Sequence, residues 1–206
     1  AGINDQVLVR VESRGGTVTG YGLVASQLNR LRQAQIHVTV SIDQVAASGG
    51  YLVASLANEI IAAPFACVGS IGVAMELPNF NKLLEKHGVD FAQVTAGKYK
   101  RTLSMFGKNT KDAEKKVQED VELTHQLFQD YVTKYRNLDT DEVATGETWP
   151  ATIAHEKGLV DRIETSDEYI LKAMESHLVL EVKTKCKTKL MGLIKEKLTT
   201  LLHLVH

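Results

Sequence analysis

The sequence predicts an α/β domain with a mainly parallel sheet and a helical C-terminal extension. Two observations carry that expectation. Short β-branched runs alternate with stretches of helical periodicity through the first half of the 206 residues. Alternation of this kind gives parallel strands joined by right-handed crossovers. The second half is dominated by longer helical patterns, and the last of these is strongly basic.

Gln6–Val11 (QVLVRV) reads as the first strand and stops at the breaker Ser13-Arg14-Gly15-Gly16. Tyr21, Val24, Leu28 and Leu31 then recur at spacings of three and four, one face of a helix. Within His37–Asp43 the residues Val38, Val40 and Ile42 alternate, giving a second strand, and Val45 to Tyr51 leads into a helix of small residues. Glu59–Ala63 (EIIAA), Ser70–Met75 (SIGVAM) and Asp90–Thr95 read as further strands. Asn79–His87 is expected to be a short helix, with Gly88 where a left-handed cap is required.

Lys111–Tyr135 carries Val117, Val121, Thr124, Phe128 and Val132 near helical spacing, which predicts one long amphipathic helix. Thr152–Lys157 is a helix closed by Gly158, and Leu159–Ile163 a short strand. Thr165-Ser166-Asp167-Glu168 has the form of a capping box that opens a helix through Met174. Residues 1–176 therefore read as one domain and 177–206 as a tail. In the tail, lysines from Lys183 to Lys197 interleave with Leu190, Leu193, Ile194, Leu198, Leu201 and Leu202. Such a basic amphipathic helix suits an anionic membrane, a partner, or packing on its own domain.

Composition excludes several classes. Lys+Arg 24 against Asp+Glu 25 leaves a formal charge of −1, so no global basic field marks a nucleic-acid binder. Cys67 and Cys186 lie far apart, which argues against a disulfide framework or thiolate zinc site. His155-Glu156 is no zinc signature, because Leu159 stands where a second histidine is needed. With no apolar stretch of about 18 residues and no leader at Ala1, the chain as given is expected to be soluble.

Nucleophilic catalysis needs an exposed hydroxyl, a base and donors for an oxyanion. Ser48 stands between a strand and a helix, flanked by Ala46, Ala47, Gly49 and Gly50. Small neighbours permit a tight turn and leave room for a carbonyl, and the helix start aims amides at the same spot. Elsewhere such runs simply let a helix pack closely on a sheet. Gly15-Gly16 after the first strand offers bare backbone amides, or only a turn with positive φ. None of the seven histidines sits in a small, glycine-rich loop; His125 and His155 fall in helices, where packing or exposure is the default. A lysine serves instead if desolvation lowers its pKa from about 10.4 toward about 7–8, a cost of roughly 3–5 kcal/mol. Lys98 and Lys100 are both candidates, and both also suit a solvated loop.

Three segments together resemble the signal peptide peptidase A family (peptidase S49): Val45-Ala46-Ala47-Ser48-Gly49-Gly50-Tyr51, Val68-Gly69-Ser70-Ile71-Gly72-Val73 and Ala96-Gly97-Lys98-Tyr99-Lys100-Arg101. Pro78-Asn79-Phe80-Asn81, Thr124-His125-Gln126-Leu127-Phe128 and Val143-Ala144-Thr145-Gly146-Glu147 are similar to its SohB-like branch. The resemblance runs from about Val7 to about Met174 and leaves the basic tail uncovered.

The resemblance implies a ClpP/crotonase-like fold and a serine protease with a Ser–Lys dyad and no cofactor. By it, Ser48 matches the nucleophile, Lys100 the general base, and Ser70 the serine that orients the lysine amine. The amides of Gly16 and Gly49, with Gly15 in the same loop, match the oxyanion site. It further implies peptide substrates such as signal-peptide remnants, and a homo-oligomeric ring whose adjacent protomers share each dyad. Family members also carry an inner-membrane anchor, with the catalytic domain facing the bacterial periplasm. In them an additional strand and helix precede the strand that Gln6–Val11 matches. The family usually has Ser-Pro-Gly-Gly where this chain has Ser13-Arg14-Gly15-Gly16, so φ is freed at Arg14 and a charge is added. Two other readings share the scaffold. A crotonase-like acyl-CoA enzyme would use the two loop amides without Ser48 or Lys100, and an assembly subunit would use none of them.

Overall fold

The structure, a computed structural model, describes residues 5–183. The described residues divide into two units between Tyr169 and Ile170. The basic amphipathic helix expected at the C-terminus falls almost entirely outside the described residues.

Four parallel strands form the principal sheet of the first unit, in the order β1 (Gln6–Arg10), β2 (His37–Ile42), β4 (Glu59–Ala62), β7 (Arg162–Ile163). Val38 to Ile42 is buried along its whole length, as a central parallel strand covered on both faces must be. α1 (Val18–Gln33) connects β1 to β2. β3 (Val45–Ala47) leaves the principal sheet and pairs parallel with β5 (Cys67–Gly69), which pairs antiparallel with β6 (Thr148–Pro150). The turn between β2 and β3 is held by Glu12, whose carboxylate accepts the amides of Asp43, Gln44 and Val45 at 3.0–3.2 Å.

α2 (Gly49–Ser55) starts directly after β3 and is buried at every residue. The Tyr51 hydroxyl satisfies itself on the Leu159 carbonyl at 3.0 Å. After α3 (Asn81–Lys86) comes α4 (Lys111–Thr133), whose Thr110 cap accepts the Ala113 amide. Its apolar stripe ends on the buried Phe128 and Val132. α5 (Thr140–Val143), α6 (Ala151–Glu156) and α7 (Ser166–Met174) complete the order. The capping box at α7 forms as expected: Glu168 accepts the Thr165 amide at 2.9 Å, and its own amide donates to the Thr165 hydroxyl at 3.2 Å.

Two expected strands are absent. Gly69 and Ser70 take φ of +120° and +52°, which ends the strand at Gly69 instead of letting it begin at Ser70. The true strand is Cys67–Gly69, just upstream of the Ser70–Met75 run. Asp90–Thr95 pairs with no strand among the described residues, and every one of its residues is exposed. This segment is instead tied locally, Phe91 packing 5.9 Å from Phe106, which stacks on Phe80. Gly88 adopts the left-handed φ of +68° that the cap requires.

The return to β7 is fastened by an ion pair. Arg136 meets both Asp161 oxygens at 2.8 Å and donates to the Gly158 carbonyl, while Asp161 also accepts the Ile60 amide at 2.7 Å. Burial pushes the Asp161 carboxyl up, but the bonds from Arg136 and Ile60 and the guanidinium charge outweigh it, so its pKa lies below the ordinary 3.8. A depressed carboxylate stabilises the fold above its unfolded pKa and loses that contribution as pH falls through the folded value. Asp161→Asn is therefore expected to lower stability at pH 7 by about 1 kcal/mol, discounted for partial exposure. The gap from wild type should shrink below about pH 4. Denaturant unfolding from pH 3 to pH 7 tests this, and a pH-independent gap would contradict it.

Candidate active site

At the junction of β3 and α2 a non-glycine residue takes a positive φ. Ser48 has φ +53° and ψ −121°. A non-glycine residue there costs about 1–3 kcal/mol and persists only where its surroundings over-determine it. They do. The Ser48 amide donates to the Gly69 carbonyl at 2.8 Å, its carbonyl accepts from Leu52 at 3.0 Å, and Ala47 donates to the Ser13 carbonyl at 2.9 Å.

This conformation lifts the Ser48 side chain into a cleft of about 720 Å³. Gly16, Gly49 and Ser70 line the same cleft, with Leu52, Phe128 and His125 on its walls. Gly49 is the first residue of α2, so no residue inside the helix lies four positions back to accept its amide. Among the described residues the Gly16 amide makes no hydrogen bond either. Gly15 stands behind the serine: a Cβ placed there would lie 2.7 Å from the Ser48 Cβ, and its φ is +100°.

Lys100 is not in this cleft. It lines a second cavity of about 530 Å³ with Arg101, Leu103, Val117 and Val121. The two cavities are neighbours, since Val18 and Val73 line both. Among the described residues no hydrogen bond links Ser48 to Lys100 or to Ser70. Lys98, the other candidate, pairs with Asp112 at 3.5 Å and lies over the Tyr99 ring. The single chain thus assembles the nucleophile candidate, its free amides and Ser70, and holds the candidate base next door.

Two residues at the cleft were given no role there by the sequence reading. His125 falls on an ordinary-looking helix, yet it faces the Ser48 cleft, with its Nε2 3.3 Å from the Gln129 amide nitrogen. Tyr21 reads as one more apolar position of α1, yet its ring lies against both Gly16 and Gly49. Its signal was chemical: a tyrosine on a helix face that packs inward needs a partner for its hydroxyl. Among the described residues no cluster of three His, Cys, Asp or Glu side chains could hold a metal ion.

A half-buried serine on a strained turn, sharing a cleft with the Gly16 and Gly49 amides, combines a candidate nucleophile with candidate oxyanion donors, and has no lysine in the same cleft. Comparison with known proteins gives the family. Residues 30–180 match the model of peptidase family S49, and residues 1–28 match that of the peptidase family S49 N-terminal region. The chain belongs to peptidase family S49. It is 56% identical over 169 residues to a probable protease SohB of Buchnera aphidicola subsp. Schlechtendalia chinensis, covering 82% of this chain and 55% of that protein. A probable protease SohB of Haemophilus influenzae is 49% identical over 187 residues, 90% of this chain and 53% of its own. A protein of Enterococcus faecium named "Putative signal peptide peptidase SppA" is 33% identical over 165 residues, 79% of this chain and 48% of its own. The chain spans about half the length of the curated relatives it matches.

Because Gly15 is packed against Ser48 and the Ala47 carbonyl, Gly15→Ala is expected to cost at least about 2 kcal/mol and to displace the serine. Gly22, with nothing within 4 Å of an added Cβ, is the matched control. Gly22→Ala should leave stability unchanged or raise it by up to about 1 kcal/mol. Thermal melts of both variants decide the point, and equal melts would contradict the packing argument.

Proposed function

We propose that this chain carries the catalytic region of a bacterial serine endopeptidase with a Ser–Lys dyad on a ClpP/crotonase-like scaffold. The observation that carries the proposal is Ser48, held at positive φ in a cleft with the Gly16 and Gly49 amides. Membership of peptidase family S49 supports hydrolysis of a peptide bond as the reaction. The relative named a signal peptide peptidase favours signal-peptide remnants and similar membrane-derived peptides as substrates. A membrane-anchored, periplasm-facing enzyme fits such substrates. Among the described residues no helix is long and apolar enough to cross a membrane.

In this mechanism an unprotonated Lys100 accepts the Ser48 proton as Oγ attacks the scissile carbonyl. The Gly16 and Gly49 amides donate to the oxyanion, and the lysine ammonium then protonates the leaving amine. Water hydrolyses the acyl-enzyme by the same route in reverse, with Lys100 again as base. The Ser70 hydroxyl orients the lysine amine. A lysine works as a base only once removed from water, and here Lys100 is exposed on its segment. Packing of a neighbouring protomer over this surface removes the water and brings a lysine to each serine. We therefore place each dyad between adjacent copies in a homo-oligomeric ring.

Ser48→Ala is expected to abolish covalent labelling by a fluorophosphonate, and Lys100→Ala to abolish peptide turnover with the fold intact. Full labelling of Ser48→Ala would remove the nucleophile assignment. The two inactive variants, dissociated and reassembled together, should regain activity, because about a quarter of randomly formed interfaces pair an intact serine with an intact lysine. Activity that stays at zero in mixed oligomers would contradict the shared dyad.

A further inference from the structure

We propose that Tyr21 is a positioning residue that aims the Gly16 amide into the oxyanion site, an inference that rests on the Ser48 reading above. The Tyr21 hydroxyl donates to the Gly15 carbonyl at 3.0 Å. Its oxygen is also 2.6 Å from the Ser13 hydroxyl, and the Gly15 amide donates to Ser13 Oγ at 3.2 Å. With the tyrosine proton committed to Gly15, the Ser13 hydroxyl must donate to Tyr21, which closes a ring of three hydrogen bonds.

That ring grips the Gly15 carbonyl, and the carbonyl shares one planar trans peptide with the Gly16 N–H. In such a unit C=O and N–H point in opposite directions, so fixing one aims the other. Between two glycines the peptide is otherwise easily turned over, because neither flanking residue restricts φ and ψ. Turned over, it points the Gly16 N–H away from the cleft and presents a carbonyl to the oxyanion. Arg14 precedes the two glycines, so no proline restrains φ in this loop. Tyr21 supplies a restraint by another route.

The same side chain braces the second donor. A Cβ on Gly49 would lie 2.5 Å from the Tyr21 ring, and one on Gly16 would lie 2.9 Å from it. One ring, anchored in α1 and half-buried, therefore sits against both amide-bearing residues. Ser13 in turn is tied to the serine's own strand, accepting from Ala47 and donating to the Val45 carbonyl, both at 2.9 Å.

Tyr21→Phe keeps the ring and deletes only the hydroxyl. Losing one oxyanion donor outright costs about 10²–10³ in kcat, so releasing the peptide is expected to cost about tenfold or more. The intact protein and the variant are compared by the rate constant for fluorophosphonate labelling at Ser48. kcat and KM for a peptide substrate are then measured per active site titrated by the probe. The expected result is slower labelling and lower kcat, with KM within about twofold and the melting temperature nearly unchanged. Equal labelling rates would overturn the proposal. So would a loss that disappears once activity is counted per titrated site, since that is a purely structural effect. A wild type that never labels at Ser48 is a different failure: it removes the nucleophile reading, and this inference falls with it.

Discussion

Ser48 is held where few L-residues sit, and the architecture around it is what keeps it there. Its amide is bound to the end of β5, its carbonyl caps the first turn of α2, and the strand before it is stitched to Ser13 in the loop after β1. Three segments distant in sequence therefore fix one backbone conformation. Glu12 reinforces the arrangement by gathering the amides of the β2–β3 turn. These bonds tie the loop that follows β1 to the strand that ends at the strained turn. Strain of about 1–3 kcal/mol is small against a cooperative network of this kind.

Glycine at positions 15, 16, 49 and 50 follows from the same constraint. At Gly50 a Cβ would meet the Ser13 carbonyl at 2.5 Å, and at Gly49 it would meet the Tyr21 ring. The loop after β1 and the head of α2 approach as closely as backbones can. This close approach brings Gly16 and Gly49 to one cleft and leaves no room there for side chains at these positions.

The parallel sheet was legible because β-branched runs such as Val38–Ile42 admit few other readings once both faces are buried. Ser48 and Gly15-Gly16 were legible for a local reason, their small-residue surroundings. Lys100 was not: nothing in its own chemistry separates it from Lys98, and only the family resemblance chose between them. The strand expected at Ser70–Met75 failed because a positive φ at Ser70 has no period in the sequence. β6 was missed because three residues containing a proline carry no detectable alternation. Tyr21 was hidden in plain view on a helical stripe, where only its hydroxyl marked it as different.

The central proposal is that Ser48 is completed by the Lys100 of an adjacent protomer, because within one chain Lys100 lines the neighbouring cavity and not the Ser48 cleft. The most direct test is an experimental structure of the intact, assembled protein with a peptide-derived covalent inhibitor bound. The account predicts the inhibitor on Ser48 Oγ, its oxygen between the Gly16 and Gly49 amides, and the Lys100 Nζ of an adjacent protomer within about 3.2 Å of the serine. A bound inhibitor with no lysine at that distance, or with the base supplied by the same chain, would contradict it.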